Sequence, residues 1–268
     1  MKFTVLMPVH EAIDFDIFKK SVNSVINNTL LPSEFLIIVD GNISTEKRIF
    51  LLKLKKQYNF INIIFKNKLG LVKILNYGLK IAKYKLIARA DADDINHKTR
   101  FFEQVNFFKK NKVDILGSNI NENINGKKFI KKVPKNPSFL HFSFLNPINH
   151  MTVMFKRDKI KKLGSYPNIK YKEDYSLWFL AKIRGYFIAN LDISLVNSRI
   201  DNMTMKRRKN IRAICSEFEL FFFLIKKNIF LIFILPFSLL FRIFFLILPN
   251  SVYLFLLTRI NRFGVLEK

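Results

Sequence analysis

Short apolar runs alternate with amphipathic stretches over the first hundred residues of this chain. Residues 3–9 (FTVLMPV) form a buried strand pattern. Phe15, Phe18, Val22 and Val25 then recur at helical spacing, with Asp14 placed to cap the helix. Pro32 closes that unit. Residues 35–39 (FLIIV) predict a second strand, and Ser44 or Thr45 opens a helix carrying Leu51, Leu52 and Leu54. A third strand is expected over 61–65, a third helix on Leu71, Leu75, Leu79 and Ala82, and a fourth strand over 86–90 that runs straight into Asp91. The pattern loosens beyond residue 100. Phe101, Val105 and Phe108 predict a helix, 113–116 and 151–155 predict strands, and Asn125-Gly126 predicts a hairpin turn. Residues 173–184 predict a helix that Gly185 ends.

Strand and helix alternating through short links make βαβ units. The expectation is an α/β fold with a mostly parallel sheet flanked by helices. Ligands of such sheets bind at the C-terminal ends of the strands. The polar residues just after strands are therefore the ones to inspect: His10-Glu11, Asp40, Asn67 and Asp91 to Asp94.

Asp91, Asp93 and Asp94 put three carboxylates into four residues. Like charges this close raise one another's pKa unless a cation sits among them. A hard divalent ion, Mn²⁺ or Mg²⁺, suits an all-oxygen set and is often shared with substrate phosphates. An acidic turn facing solvent would give the same string, so position alone leaves both readings open.

Composition adds two facts. The formal net charge is +26, but lysine is spread over every segment along with Asn, Ile and Phe. A compositional bias of the whole chain accounts for that as well as an anionic partner does. The basic residues are not interleaved with aromatics in a nucleic-acid-binding module, so no nucleic-acid partner is expected. Cys215 is the one cysteine, which excludes an intramolecular disulfide and a cysteine-based zinc site. The first apolar run is short, broken by Pro8 and followed by charge, so it belongs to the fold and is not a signal peptide.

Five segments in order carry a resemblance. They are TVLMPVHE, FLIIVDG, NKLGLVKILNYGL, IARADADDINHKTRF, and NPINHMTVMFKRDKIKKLGSY followed by YKEDYSLW. Together they resemble the inverting glycosyltransferases of family 2, which have the GT-A fold, and the bacterial surface-polysaccharide enzymes in particular. The resemblance covers roughly residues 2 to 200 and implies a GT-A domain over 1–210. It implies transfer of a sugar from a nucleotide-sugar donor, a UDP-sugar by preference, to a hydroxyl of a lipid-linked or surface-glycan acceptor. Asp40 would read the nucleotide base, with Pro8, Val9 and Glu11 along the nucleoside and Asn67 and Lys73 flanking the pocket. Asp91 would meet the ribose or the metal, and Asp93 and Asp94 would be the metal ligands. Arg100 would hold the cluster or serve a structural salt bridge. Asp174 would be the catalytic base, Glu173 would orient the acceptor, and His150 and Trp178 would contact phosphate, acceptor or sugar ring. Ser176 replaces an Asp of the family's pattern. Asp201 stands where a His is usual, leaving Arg199 as a diphosphate contact.

From Phe218 the chain turns strongly apolar. Residues 229–248 are 20 in number, just enough to span a bilayer. Pro236 and Arg242 interrupt them, and basic residues flank both sides. The expectation is therefore a membrane-associated segment, 211–268, of apolar helices kinked at Pro236. It would lie peripherally or re-entrantly on the cytoplasmic face of the inner (plasma) membrane. Two other enzyme-like readings compete. A sugar nucleotidyltransferase would carry a Gly- and Arg-rich loop after the first strand, and TVLMPVHEAID has none. A catalytically degenerate scaffold would keep the fold and lose the turnover.

Overall fold

The computed structural model describes residues 1–124, 126–200, 210–249, 252, 256 and 262–264. The amino half follows the predicted alternation: β1 (Phe3–Val9), α1 (Phe15–Ile26), β2 (Glu34–Asp40), α2 (Thr45–Gln57), β3 (Ile61–Lys66), α3 (Leu71–Ile81) and β4 (Leu86–Arg89). β1 lies between β2 and β4 and runs parallel to both, and β3 extends the parallel set beyond β2. Phe3, Val5, Met7 and Val9 enter one apolar layer while Leu6 enters the other, so β1 is buried on both faces. On the second face α3 lies so close that a Cβ on Gly78 would stand 2.5 Å from Leu6 Cδ1. Glu34, buried at the start of β2, accepts from Thr4 Oγ1 (2.7 Å), Asn62 Nδ2 (2.9 Å) and the Lys83 amide (2.8 Å). That carboxylate ties three neighbouring segments at the base of the sheet.

The second half departs from the expectation of a mostly parallel sheet. After β5 (Ile95–Asn96) and α4 (Arg100–Lys110) come β6 (Ile115–Ile124), β7 (Lys127–Lys131), α5 (Phe139–Phe144), β8 (Met154–Lys156), α6 (Arg157–Lys162), α7 (Glu173–Ile183) and β9 (Ile188–Ile200). β8 is antiparallel to both β4 and β6, β7 is antiparallel to β6, and β10 (Arg262–Gly264) is antiparallel to β7. β6 also pairs in parallel with β9, with register shifts around Asn119. The result is a curled mixed sheet. Past β4 the chain returns by tight turns as well as by crossovers, and a tight turn can only make antiparallel neighbours. The strand expected over 151–155 is a 3₁₀ turn at His150–Thr152 followed by the short β8. The β6–β7 hairpin is present, with Gly126 at φ 84°, while Asn125 lies outside the described residues.

The expected membrane anchor is overturned. The C-terminal segment forms one helix over Ile211–Lys227, a 3₁₀ turn over Ile229–Phe233 and a second helix over Leu235–Ile247. Among the described residues no helix is long and apolar enough to cross a membrane. Pro236 does not kink a long helix. It sits in the first turn of the second one, where its missing N–H costs no hydrogen bond. Leu220, Leu224, Leu231 and Leu235 are buried in the same apolar layer as Trp178 and Phe179, so both helices fold back onto α5 and α7. Arg242, an anomaly within a span, is buried in an ion pair with Glu217 (2.8 Å).

Candidate functional site

β4 delivers the acidic cluster. The Ala90 amide still bonds Leu6 O (3.0 Å), which holds the end of β4 against β1. The chain then leaves the sheet. Ser21 Oγ on α1 pins the Asp91 carbonyl at 2.7 Å, and the Asp94 amide reaches back to it at 3.4 Å. This small turn gathers the carboxylates of Asp91, Asp93 and Asp94, each offering an oxygen within 4.8 Å of the others. Asp91 is half-buried, Asp93 exposed and Asp94 buried. Burial, with the neighbouring Asp93 charge next, pushes the Asp94 carboxyl up to about 7, against a hydrogen bond from Ser198 and the charges of Arg89 and Arg100. An all-oxygen cluster under such mutual repulsion fits a hard divalent cation, which needs further ligands from water or phosphate.

A buried cation stands at the centre of the site. Arg89, the last residue of β4, ion-pairs with Asp91, and its charge also interacts with Asp93, Asp94 and Glu173. Burial lowers its pKa, and Tyr166 and these acids oppose that. Arg100 lies beneath, fully buried, donating to the Arg89 carbonyl (2.6 Å), Gln104 (3.2 Å) and Asn96. Arg100 thus braces the end of the strand that carries the cluster. Burial lowers its pKa to about 9.

The positions expected to hold the donor lie at or just after strand ends. Pro8 and Val9 finish β1. Asp40 finishes β2, and its two oxygens accept from the Leu69 (2.6 Å) and Gly70 (3.0 Å) amides. Asp40 thereby fixes the loop that starts α3, where Gly70 has φ 89°. Glu11 is exposed and accepts from the Ser44 amide (2.9 Å) and Lys47 Nζ (3.1 Å), which hold its carboxyl below the ordinary glutamate value. Asn67 and Lys73 are exposed on the loop and first turn beside Asp40. Arg199 is exposed on β9, and Asp201 lies outside the described residues.

A second wall of expected site residues lies at the start of α7. Asp174 is half-buried in its first turn and accepts from Asn146 Nδ2 at 2.8 Å. Desolvation raises its pKa above the ordinary aspartate value, against hydrogen bonds from backbone and Asn146 and the charge of Lys172. Glu173 precedes it and faces the charge of Arg89. His150 lies 3.2 Å from the Tyr166 hydroxyl, and burial, with Arg89 second, holds its pKa well below the usual imidazole value. It is therefore a neutral hydrogen-bonding group at neutral pH. Trp178 is fully buried and packs against His150, Tyr166 and Phe155. It backs the wall from within the core. Asn146 also lines a cavity of about 250 Å³ together with Lys131, Lys132, Leu140, Phe144 and Leu145.

Arg89, Asn146 and Tyr166 carry much of this arrangement, and no role for them was read from the sequence. Arg89 left a signal: a lone charge in an otherwise apolar strand, two residues before the first of three acids. Asn146 and Tyr166 left none, because their partners lie 28 and 16 residues away.

Residues 4–171 match the family described as "Glycosyl transferase family 2". Over 255 residues the chain is 33% identical to the UDP-Gal:alpha-D-GlcNAc-diphosphoundecaprenol beta-1,3-galactosyltransferase of Escherichia coli, covering 93% of each chain. It is 29% identical to the amylovoran biosynthesis glycosyltransferase AmsE of Erwinia amylovora, covering 82% of this chain and 84% of that one. Among solved structures, S. aureus TarS 1–349 in complex with UDP-GlcNAc superposes with a TM-score of 0.65 at 17% identity. That match covers 85% of this chain and 68% of the TarS fragment, and only 40% of the longer TarS chain is spanned. The TarS likeness speaks for the fold alone.

Proposed function

The chain belongs to glycosyl transferase family 2, a glycosyltransferase acting on nucleotide-sugar donors, and from that premise we propose an inverting transfer from a UDP-sugar to a hydroxyl of a lipid-linked or growing surface-glycan acceptor. One observation carries this reading. The acidic turn after β4 and Glu173, the neighbour of the desolvated Asp174 on α7, share one buried cation, Arg89, whose charge reaches Asp93, Asp94 and Glu173. A donor's diphosphate and an acceptor's hydroxyl would need groups of this kind on opposite walls of one cleft.

In this mechanism Asp40, Pro8, Val9, Glu11, Asn67 and Lys73 hold the nucleoside. Asp93 and Asp94, with Asp91 behind them, would hold Mn²⁺ or Mg²⁺. That ion, when bound, supplies charge neutralisation for the departing diphosphate. Arg89 and Arg199 face the same phosphate charge from the protein side. Asp174, oriented by Asn146, takes the proton of the acceptor hydroxyl as its oxygen attacks the anomeric carbon. The bond from that carbon to the diphosphate oxygen breaks, and its electron pair leaves with the nucleoside diphosphate. Attack on the face opposite the leaving group inverts the anomer. Glu173 and the neutral His150 orient the acceptor, with Trp178 packed behind them.

We assign this chemistry to residues 1–210. The acceptor enters through the cavity beside Asn146, where two lysines and six apolar side chains suit a phosphate-linked, partly apolar molecule. The name of the Escherichia coli relative supports that class, since its acceptor is a sugar diphosphate on a lipid. The UDP-Gal in the name of the same relative supports a UDP-sugar donor.

The test is turnover by purified protein over UDP-, GDP- and dTDP-sugars, with and without Mn²⁺, alongside Asp93→Ala and Asp174→Asn. Metal-dependent transfer from a UDP-sugar, lost in both variants, is expected. Full activity in either variant refutes the role given to that residue, and product of retained anomeric configuration refutes inversion.

A further inference from the structure

A second charged cluster lies under the start of α7, outside the segment that matches the family. Glu217, on the Ile211–Lys227 helix, ion-pairs with Lys172 through one oxygen and with Arg242 Nε through the other (2.8 Å). Glu217 is 2% and Arg242 6% exposed. From the Leu235–Ile247 helix, Arg242 also donates to the Tyr175 hydroxyl (3.1 Å) and the Ser143 carbonyl (2.8 Å). The Tyr175 hydroxyl donates to the Phe142 carbonyl at 2.5 Å, and Ser238 Oγ donates to the Ser143 carbonyl.

The places gripped are specific. Lys172 caps α7, and its carbonyl accepts the Ser176 amide (2.8 Å). Lys172 and Tyr175 therefore bracket Asp174 in the sequence. Phe142 and Ser143 end α5, three to four residues before Asn146, the side chain that donates to Asp174. One buried ion pair thus anchors both the residue proposed as base and the residue that orients it. Buried ion pairs contribute little net stability compared with apolar residues of similar volume, because desolvation offsets their attraction. What they add is a fixed geometry.

We propose that Glu217 and Arg242 are positioning residues for sugar transfer, locking the first turn of α7 and the end of α5 so that Asp174 and Asn146 meet the acceptor hydroxyl. This rests on the reading of Asp174 as the base. It gives the two C-terminal helices a part in the reaction, although neither touches a substrate.

The experiment compares full-length wild type with Glu217→Gln, Arg242→Lys and the charge-free pair Glu217→Met/Arg242→Met, which keeps bulk in the core should the single changes unfold it. Phe222→Ser, on the outward side of the first helix, is the control. Steady-state kcat, both KM values and donor affinity by calorimetry are measured, with melting temperature recorded separately. In Glu217→Gln and the double variant kcat is expected to fall about ten- to hundredfold, with donor affinity and both KM values held within about twofold, since small misplacements of a catalytic group cost that much. Arg242→Lys loses less, and Phe222→Ser nothing. Added to Asp174→Asn, Glu217→Gln costs nothing more, because both act through one group. Wild-type kcat in the folded Glu217→Gln and double-Met variants, with Asp174→Asn inactive, overturns the support and leaves the base standing. An active Asp174→Asn overturns the base, and the support with it.

Discussion

The two walls of the proposed cleft treat their carboxylates in opposite ways. On the donor side, Asp40 and Glu11 sit at strand ends and are satisfied mainly by backbone amides of the next loop or helix. On the proposed acceptor side, Asp174 is half-buried and Glu217 buried, and both are held by side chains from distant segments. The first arrangement is local and cheap to build, since each acid fixes the element beside it. The second depends on several elements packing together first. It desolvates Asp174 and raises its proton affinity above that of an ordinary aspartate, which suits the base proposed for it.

Substitutions can break or sharpen that contrast. The largest effect is expected in the packed wall. Trp178→Ala removes a fully buried ring and should cost about 3–5 kcal/mol of unfolding free energy in denaturant titration. Trp178→Phe should cost much less, because it also removes an indole N–H that is buried without a partner. A loss below about 1 kcal/mol for the alanine variant would show that this wall is not held by its core.

Next comes Asp174 itself. Its folded-state pKa is raised by burial, so the folded protein holds that proton more tightly than the unfolded chain does. Stability is therefore lost as pH rises from the ordinary aspartate value through the raised one. Asp174→Asn should melt above the wild type at neutral pH, with the gap closing as pH falls below about 4. Since the base acts only when ionised, the acid limb of wild-type transfer should also lie above the ordinary aspartate value. A melting temperature for Asp174→Asn equal to or below that of wild type at every pH would mean that this carboxylate is not under desolvation.

The smallest effect belongs to the donor half. Asp14 caps α1 by accepting the Ile17 amide at 3.1 Å. Asp14→Ala should cost about 1 kcal/mol and leave turnover untouched. A loss as large as that of Trp178→Ala would erase the distinction between locally and globally held walls.

The same contrast explains what was legible in the sequence. β1 to β4 and their helices follow from apolar periodicity, because a parallel strand buried on both faces reads as a continuous apolar run, and the first two helices declare their own caps at Asp14 and Ser44. The acidic turn was legible for the same reason, since it directly follows such a run. β9 was not: Ile188–Ile200 mixes polar and apolar residues and is settled by pairing with β6, whose residues lie about seventy positions earlier. The C-terminal helices were misread because an apolar stretch of that length fits both a lipid-facing helix and a core-facing one. What separates them is Glu217 as the partner of Arg242, and pairing across 25 residues has no local signature.

The position of that partner also has a consequence for how the protein is made. Chains emerge from the ribosome amino end first, at about 5–20 residues per second. The four parallel strands need only the first ninety residues and can pair while the rest is still being assembled. The wall bearing Asp174 has to wait for Arg242, so for roughly 8–30 seconds the nascent chain holds its parallel strands while the ion pair behind Asp174 has not yet been synthesised.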